Sequence, residues 1–333
     1  MEKRVSRRDF LRNSAVAFGA VAISDLTGWL NVFADESKAS QVFFSKEIRS
    51  ASLLNLYNRV SEERRLTGKI AVKLHSGEPG SHHFASPDLI KELVQKLDGT
   101  IVECNTAYRG KRFETASHKQ VMQDHGFAAI APVDIMDEEG SISLPFPEGK
   151  NIREDFVGAH FTNYNSFLIL SHFKGHAMGG FGGALKNMSI GIASGEGKMW
   201  IHTAGVSKSL DDFGLCFKTD QDRFLESMAE AAGAVMNRLP DKLLYVNLMN
   251  NLSIDCDCDN NPAPPELDDI GILASLDPVA LDRACVDLVY AADAGRSASL
   301  RERMESKHGI HILDHAEKLG LGSQNYEVVM IDG

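Results

Sequence analysis

The richest chemistry in the sequence lies in one segment, residues 171–202, where imidazole and ammonium groups alternate with glycines. Its basic side chains are three histidines and three lysines: His172, Lys174, His176, Lys186, Lys198 and His202. Five glycines between positions 175 and 183 permit close backbone approach and let N–H groups surround an anion. We therefore predict a cofactor-binding loop in which Gly182, Gly183, Lys174 and Lys186 contact an anionic group. A glycine-rich turn that only packs a helix on a sheet remains the alternative.

The spacing of these glycines does not match the common nucleotide-binding loops. Residues 191–198 hold one residue too many for a Walker loop, and Met199 stands where Ser or Thr would hold Mg²⁺. The segment also lacks the G-x-G-x-x-G fingerprint of dinucleotide-binding proteins. A different kind of cofactor or anion site is therefore predicted.

A second candidate is the run Asp-Cys-Asp-Cys-Asp at residues 255–259. In an extended backbone the two thiols share one side and the acids the other, so Cys256 and Cys258 could hold a soft metal ion. Their spacing is not that of a zinc ribbon or a ferredoxin. The open alternative is a solvated acidic turn with free or disulfide-bonded cysteines. Cys104, Cys216 and Cys285 lie in apolar surroundings and are predicted core residues.

Two further loops follow predicted strands and carry polar side chains, one at residues 75–83 and the other at 105–112. Because the carboxyl ends of parallel strands meet at one edge of a sheet, both loops are expected at the ligand-binding edge. An arginine there can bind an anion bidentately. We therefore place His75 and Arg109 among the candidate catalytic residues.

The elements that must position these residues alternate along the chain. Short apolar runs predict strands at residues 69–74, 100–104, 127–133, 167–170, 244–248, 270–275 and 328–331. Helices are predicted at residues 86–97, 220–239 and 277–292 from apolar spacing and from proline or aspartate at their starts. This alternation predicts an α/β fold, a Rossmann-like and mostly parallel sheet flanked by helices, with a division into two lobes left open.

Composition narrows the possible functions. The 333 residues carry a formal net charge of -11, with 43% hydrophobic and 24% charged residues, which is typical of an ordinary globular protein. The negative balance without a basic run in the body disfavours nucleic-acid binding. Five cysteines in a chain of this length do not form a disulfide scaffold.

Residues 1–34 resemble a bacterial twin-arginine export signal. Ser6, Arg7 and Arg8 precede Phe-Leu at the expected offset, an apolar stretch follows, and small residues near Ala34 provide a cleavage pattern. The apolar stretch is too short to span a bilayer, so we expect no stable membrane span after cleavage. The predictions are a partnership with the twin-arginine export machinery and a periplasmic or extracytoplasmic location for one α/β domain, residues 35–333. Such signals carry proteins that have already folded, often around a cofactor.

The body of the sequence resembles the family called domain of unknown function 362. The motifs lie at residues 72–78, 105–110, 174–187, 255–258 and 269–280. Some members are iron–sulfur proteins with a C-x₂-C-x₂-C insert after the position of His202. In this chain residues 203–220 contain Cys216 alone.

The central motif is also similar to that of the nickel-dependent lactate racemase superfamily. His176, Lys186 and His202 reproduce a spacing in which a lysine follows the first histidine by ten residues and a second histidine follows by sixteen more. The resemblance implies that His176 moves a proton as a catalytic residue, Lys186 holds the cofactor, and His202 binds the metal. The implied cofactor contains a transition metal, with a nickel-pincer-like nucleotide, zinc or iron as candidates.

Together these observations predict an exported, metal- or cofactor-dependent enzyme that acts on a small anionic organic molecule by proton or hydride transfer. His202, Cys256 and Cys258 are the predicted metal ligands. Two alternatives stay open. One is an iron–sulfur or metal-carrying redox accessory protein, and the other is a periplasmic protein that binds an anion without catalysis.

Overall fold

The computed structural model describes residues 3–17 and 39–331. Nine of its strands form one sheet, and two short hairpins lie outside that sheet. The strands are β1 (Lys3–Ser6), β2 (Ser40–Ser45), β3 (Ile70–Lys73), β4 (Thr100–Glu103), β5 (Val133–Ile135), β6 (Ser141–Pro145), β7 (Glu154–Gly158), β8 (Ser166–His172), β9 (Lys174–His176), β10 (Gly180–Gly182), β11 (Leu243–Met249), β12 (Gly271–Ser275) and β13 (Tyr326–Met330).

The strand order in the large sheet is β1-β13-β2-β12-β11-β8-β3-β4-β5. The five strands from β11 to β5 are mutually parallel, whereas β12 is antiparallel to both of its neighbours and β1 is antiparallel to β13. Strands β8, β11 and β12 are buried along their whole length. Buried parallel strands read as continuous apolar runs, which explains why the sequence predicts them.

Helices cover both faces of the sheet and enclose two separate cores. The helices are α1 (Arg7–Ala17), α2 (Ser50–Ser61), α3 (Pro87–Lys96), α4 (Thr115–Asp124), α5 (Ala184–Ser189), α6 (Gly195–His202), α7 (Gln221–Arg238), α8 (Pro278–Ala291), α9 (Ala298–Ser306) and α10 (His311–Lys318). Helices α2 and α3 contribute to one core, and α5, α7, α8 and α10 contribute to the other. This arrangement confirms the predicted α/β fold class.

The starts of the long helices follow from their capping residues. Asp277 accepts hydrogen bonds from the N–H groups of Val279 and Ala280, and Pro278 occupies the first turn of α8. Asp220 caps α7 in the same way through the N–H of Arg223. Capping carboxylates satisfy N–H groups that have no partner within the helix, so both predicted helix starts lie within a residue of the observed ones.

One predicted strand is wrong. Residues 127–133 are apolar, but residues 127–129 form a 3₁₀ turn and the strand β5 begins only at Val133. Gly126 precedes the turn with a φ of 86°, a left-handed conformation that reverses the chain. The prediction took the apolar side chains of the turn, such as the fully buried Phe127, for part of the strand.

Part of the predicted export signal packs against the folded body. β1 pairs with β13, and Phe10 and Leu11 of α1 are buried at 3% and 4% exposure. Arg7 donates two hydrogen bonds to Asp287, at 2.7 and 3.0 Å. The predicted cleavage pattern near Ala34 lies outside the described residues. Among the described helices, none is both long enough and apolar enough to cross a membrane.

Candidate functional site

A cavity of about 320 Å³ opens at the carboxyl edge of the parallel strands. Its wall is built by the ends of β3, β4 and β8, by the hairpin β9–β10, by α5 and α6, and by the loop that follows β11. This volume is larger than a bare metal ion needs. It falls in the range of small-molecule and cofactor sites, which begins at about 300 Å³. The candidate site therefore has room for an organic group.

The loop after β11 is fixed to the sheet by Asp257. Its carboxylate is 2% exposed and lies 2.6 Å from the Lys174 ammonium and 3.0 Å from Nδ1 of His172. Burial alone would raise the pKa of Asp257, but the charges of His172 and Lys174 hold it well below its ordinary value. With this side chain turned to the sheet, Cys256 and Cys258 line the cavity.

The two thiols of this loop are coupled to each other. The backbone N–H of Cys258 donates to Sγ of Cys256 at 3.3 Å. A hydrogen bond from the Cys258 side chain, together with the charge of Lys186, lowers the pKa of Cys256 to about 6. The same hydrogen bond and burial raise the pKa of Cys258 well above its ordinary value. These contacts favour the thiolate form of Cys256, which is the form that binds metal ions.

The other three cysteines do not join this pair. Cys104 and Cys285 are buried in the core, as predicted, where Cys104 contacts the carbonyl oxygen of Ile192. Cys216 is buried as well, at 5% exposure, and lines the cavity near Met199. The chain has no further cysteine. A cluster that needs four neighbouring thiolates does not fit these residues.

His176, at the end of β9, completes a group of three potential ligands with the two cysteines. One ligand atom from each residue lies within 4.8 Å of the others. The N–H groups of Met178 and Gly179 donate to Nδ1 of His176, at 3.3 and 2.9 Å. The neutral ring therefore carries its proton on Nε2 and donates from that atom. Burial and the charge of Lys186 lower the pKa of His176 well below its ordinary value, so the ring stays neutral.

His202, at the end of α6, has the opposite tautomer. Its Nδ1 donates to the carbonyl oxygen of Lys198 at 2.7 Å, which leaves the lone pair of Nε2 free. The ring stacks on Phe224 and lines the cavity. Burial, opposed by the hydrogen bond and aided by Lys186, lowers the pKa of His202 to about 4. A histidine that donates its other N–H to a carbonyl is the usual form of a metal ligand.

Five cationic side chains line the cavity, and three of them pair with carboxylates. The pairs are Lys174 with Asp257, Lys73 with Glu103 at 3.1 Å, and Arg112 with Glu78 at 2.8 Å and Glu103 at 3.3 Å. The other two lysines have no carboxylate partner within the described ranges. Lys198 is buried and donates to the carbonyl oxygen of Ala193 at 2.5 Å, and Lys186 is half-buried.

The end of the glycine-rich loop contacts a carboxylate of the protein itself. The N–H groups of Ala184 and Leu185 bind the carboxylate of Asp282, at 2.7 and 2.9 Å. A Cβ at Gly183 would lie 2.3 Å from that carboxylate, so glycine is required there for contact with α8. Gly182 and Gly183 still line the cavity. Asp282 thus binds the N–H groups that follow the glycines, and the contact of the loop itself with an anion stays a prediction.

The two loops that follow β3 and β4 place one predicted catalytic residue in the cavity and the other outside it. His75 lines the cavity, with Nδ1 facing the N–H of Gly77 and Nε2 lying 3.0 Å from the Arg112 guanidinium. Burial and the Arg112 charge lower the pKa of His75 well below its ordinary value. Arg109 is exposed and stacks over Phe113 outside this cavity. The guanidinium that lines the cavity is that of Arg112, and it pairs with the carboxylates of Glu78 and Glu103.

The structure thus brings most of the predicted site residues to one cavity, all but Arg109. The ligand group within 4.8 Å contains His176 in place of the predicted His202. Lys73, Glu103, Asn187 and Arg112 also line the cavity and were not predicted as site residues. Lys73 and Glu103 end β3 and β4, Arg112 lies within the loop that follows β4, and Asn187 lies in the segment of residues 171–202.

Comparison with known proteins identifies a family and similar structures. A family model described as a domain of unknown function, DUF362, matches residues 70–287, which confirms the predicted family resemblance. No curated protein matches the chain.

Two solved structures are similar to the chain. The lactate racemase apoprotein from Thermoanaerobacterium thermosaccharolyticum has 15% identity and a TM-score of 0.37 over 65% of this chain and 52% of that chain. A protein from Thermotoga maritima has 13% identity and a TM-score of 0.38 over 77% of this chain and 58% of its own. The chain therefore matches little more than half the length of either structure.

Proposed function

The chain belongs to the family called domain of unknown function 362, and we propose that it is a metal- or metal-cofactor-dependent enzyme acting on a small anionic organic molecule. The observation that carries this proposal is the placement of Cys256, Cys258 and His176 within 4.8 Å of one another in one cavity with two lysines that pair with no carboxylate among the described residues. Export by the twin-arginine machinery, inferred from residues 1–34, stays part of the proposal.

The donor set supports a soft or borderline transition metal. Two sulfur atoms and an imidazole suit zinc, nickel or iron better than magnesium or calcium, which prefer oxygen. Cys256 and Cys258 would hold the metal, with His176 of the same ligand group or with His202, whose Nδ1 is held by the carbonyl oxygen of Lys198. A metal bound here would supply Lewis-acid stabilisation of developing negative charge.

The remaining side chains suit an anionic substrate. Burying an ammonium group without a counter-ion is costly, so Lys198 and the half-buried Lys186 favour a ligand with a carboxylate or phosphate. His176 donates a hydrogen bond from Nε2 and, as a neutral ring, can stabilise an oxygen that gains negative charge. The free Nε2 lone pair of His202 can accept a proton when it is not bound to metal. Proton transfer at a carbon next to a carboxylate is the reaction that these groups fit best.

The metal content of the purified protein tests this proposal. We expect Cys256→Ser/Cys258→Ser to contain about one transition metal per chain less than the wild type, when both are matured through the export route of the protein. Cys216→Ala is the matched control, because it removes a thiol of the same cavity outside the ligand group. Elemental analysis by mass spectrometry gives the content, and circular dichroism checks the fold.

Two outcomes would contradict the proposal. Unchanged metal in the double cysteine variant would show that the thiols are not ligands. A metal-free wild type that binds small carboxylates, with binding lost in Lys186→Ala, would support a non-catalytic anion-binding protein instead. Lys186→Ala and His202→Ala should release the metal or cofactor without unfolding the chain if the proposal holds.

A further inference from the structure

A second group of potential ligands lies outside the cavity, between α7 and the start of α10. It consists of Asp222, in the first turn of α7, His308, in the turn between α9 and α10, and His311, the first residue of α10. One ligand atom from each lies within 4.8 Å of the other two. Asp222 and His308 are 86 residues apart in the sequence, so no local motif marks this group.

The geometry of this group is already close to that of a metal site. Nδ1 of His308 lies 2.6 Å from Oδ1 of Asp222, and the rings of His308 and His311 stack with centroids 5.0 Å apart. His308 has a φ of 49°, a left-handed conformation that non-glycine residues rarely adopt. Such strain is often found at ligand sites.

A supporting carboxylate orients one of the rings. Nε2 of His311 lies 3.4 Å from Oε1 of Glu226, one turn further along α7 than Asp222. Glu226 is itself held by the Lys150 ammonium and the Asn151 amide. A histidine that donates one N–H to a carboxylate presents its other nitrogen to a metal, which is the common outer-shell arrangement in zinc proteins.

We propose that Asp222, His308 and His311 bind a divalent transition metal of the zinc class, with water at the open position. Two imidazoles and a carboxylate favour such an ion over calcium or magnesium. Ligands ~2.0–2.2 Å from a tetrahedral ion lie about 3.3 Å apart. Nδ1 of His308 and Oδ1 of Asp222, now 2.6 Å apart, must therefore separate slightly when the metal binds. Their side chains are 61% and 45% exposed, so they have room to move.

The site would join α7, α10 and the turn between α9 and α10. Gln221, next to Asp222, donates from its amide to the carbonyl oxygens of Met178 and Lys307. Gly180 of the β9–β10 hairpin packs against Gly309, where a Cβ would come within 2.9 Å of the backbone. A metal ion here would clamp α7 to the turn on which the His176 hairpin rests. The inference does not depend on the proposed function of the cavity.

Zinc titration of the full chain tests this site. The Cys256→Ser/Cys258→Ser background removes the two thiols of the cavity from the measurement. In that background we expect one Zn²⁺ to bind, and each of Asp222→Asn, His308→Ala and His311→Ala to weaken binding by about tenfold or more, since even outer-shell partners are worth about 10–100-fold. His82→Ala removes an exposed histidine elsewhere and should leave the affinity unchanged. Isothermal titration calorimetry gives the constants.

The result can go against the inference in two ways. The background protein could take up no Zn²⁺, or its affinity could be the same in all three ligand variants as in His82→Ala. A rise in melting temperature with Zn²⁺ that disappears in His308→Ala would support the site independently. Because the three ligands are partly exposed and outside both cores, their variants are expected to fold.

Discussion

At the scale of single residues, Asp155 on β7 is a buried carboxylate with few hydrogen bonds. It is 0% exposed, and Oδ1 accepts only the N–H of the next residue, Phe156, at 2.9 Å. Oδ2 has no hydrogen-bond partner within the described ranges. Burial, opposed by that N–H and by the charge of Lys198, raises the pKa of Asp155 to about 7.

This pKa makes the stability of the protein depend on pH. Because the folded-state pKa lies above the ordinary value of 3.8, the folded chain keeps a proton that the unfolded chain has released. The free energy of unfolding should therefore fall as pH rises between about 4 and 7, by up to about 1.4 kcal/mol per pH unit, and this contribution should change no further above that range. Asp155→Asn should make unfolding less dependent on pH, as measured by urea denaturation at pH 5 and pH 8. Asp211→Asn, an exposed carboxylate, is the control, and an equal pH dependence in the two variants would contradict the assignment.

At the scale of elements, the contact between the β9–β10 hairpin and the cysteine loop positions the site. The N–H of Gly175 donates to the carbonyl oxygen of Ser253 at 2.9 Å. A Cβ at Gly175 would lie 2.2 Å from the carbonyl oxygen of Ile254. The backbone of the hairpin thus touches the loop that carries both thiols, and glycine is the residue that permits this approach.

Gly175→Ala should push these two elements apart. We expect a loss of about 1–3 kcal/mol in the free energy of unfolding, since overpacking of this kind costs that much. The thiols of Cys256 and Cys258 should also react faster with an aromatic disulfide reagent. Gly214→Ala is the matched control, because a Cβ at Gly214 meets nothing within 4 Å. Equal stability and equal thiol reactivity in the two variants would mean that the contact does not position the loop.

The central strands and the capped helices are predictable because their signals are local. Buried strands appear as apolar runs, and capping aspartates mark the starts of α7 and α8. The 3₁₀ turn at residues 127–129 is misread because an apolar run alone does not distinguish a turn from a strand. Strand β2 and helix α2 were not predicted, although both lie in the described body.

The site is predictable only in part because side-chain partners are not local. The glycine segment and the paired cysteines reach one cavity, as their positions after strands indicate. The sequence could not show that Asp282, 98 residues from Ala184, binds the N–H groups that follow the glycine-rich loop. Nor could it show that Arg112 rather than Arg109 enters the cavity, because that choice depends on side-chain direction in an irregular loop.

At the scale of the whole molecule, the amino-terminal segment is part of the fold. β1 extends the large sheet along β13, and the ring of Phe10 lies 5.2 Å from that of Phe44. Arg7 forms a bidentate ion pair with Asp287, whose side chain is 5% exposed. If this segment is the predicted twin-arginine signal, Arg7 must leave Asp287 before the export machinery can bind it. Docking and export then compete for the same side chain.

Comparison of the two arginines of the pair measures this docking. Arg7 pairs with the body, whereas Arg8 is exposed. In the uncleaved chain, Arg7→Gln should release the segment and speed subtilisin cleavage within residues 3–17 by about 5–30-fold, the factor that corresponds to one or two kcal/mol. Arg8→Gln changes the same charge but should leave cleavage at the wild-type rate. Because both variants alter the arginine pair equally, an equal rate in the two would show that the ion pair with Asp287 does not hold the segment on the sheet.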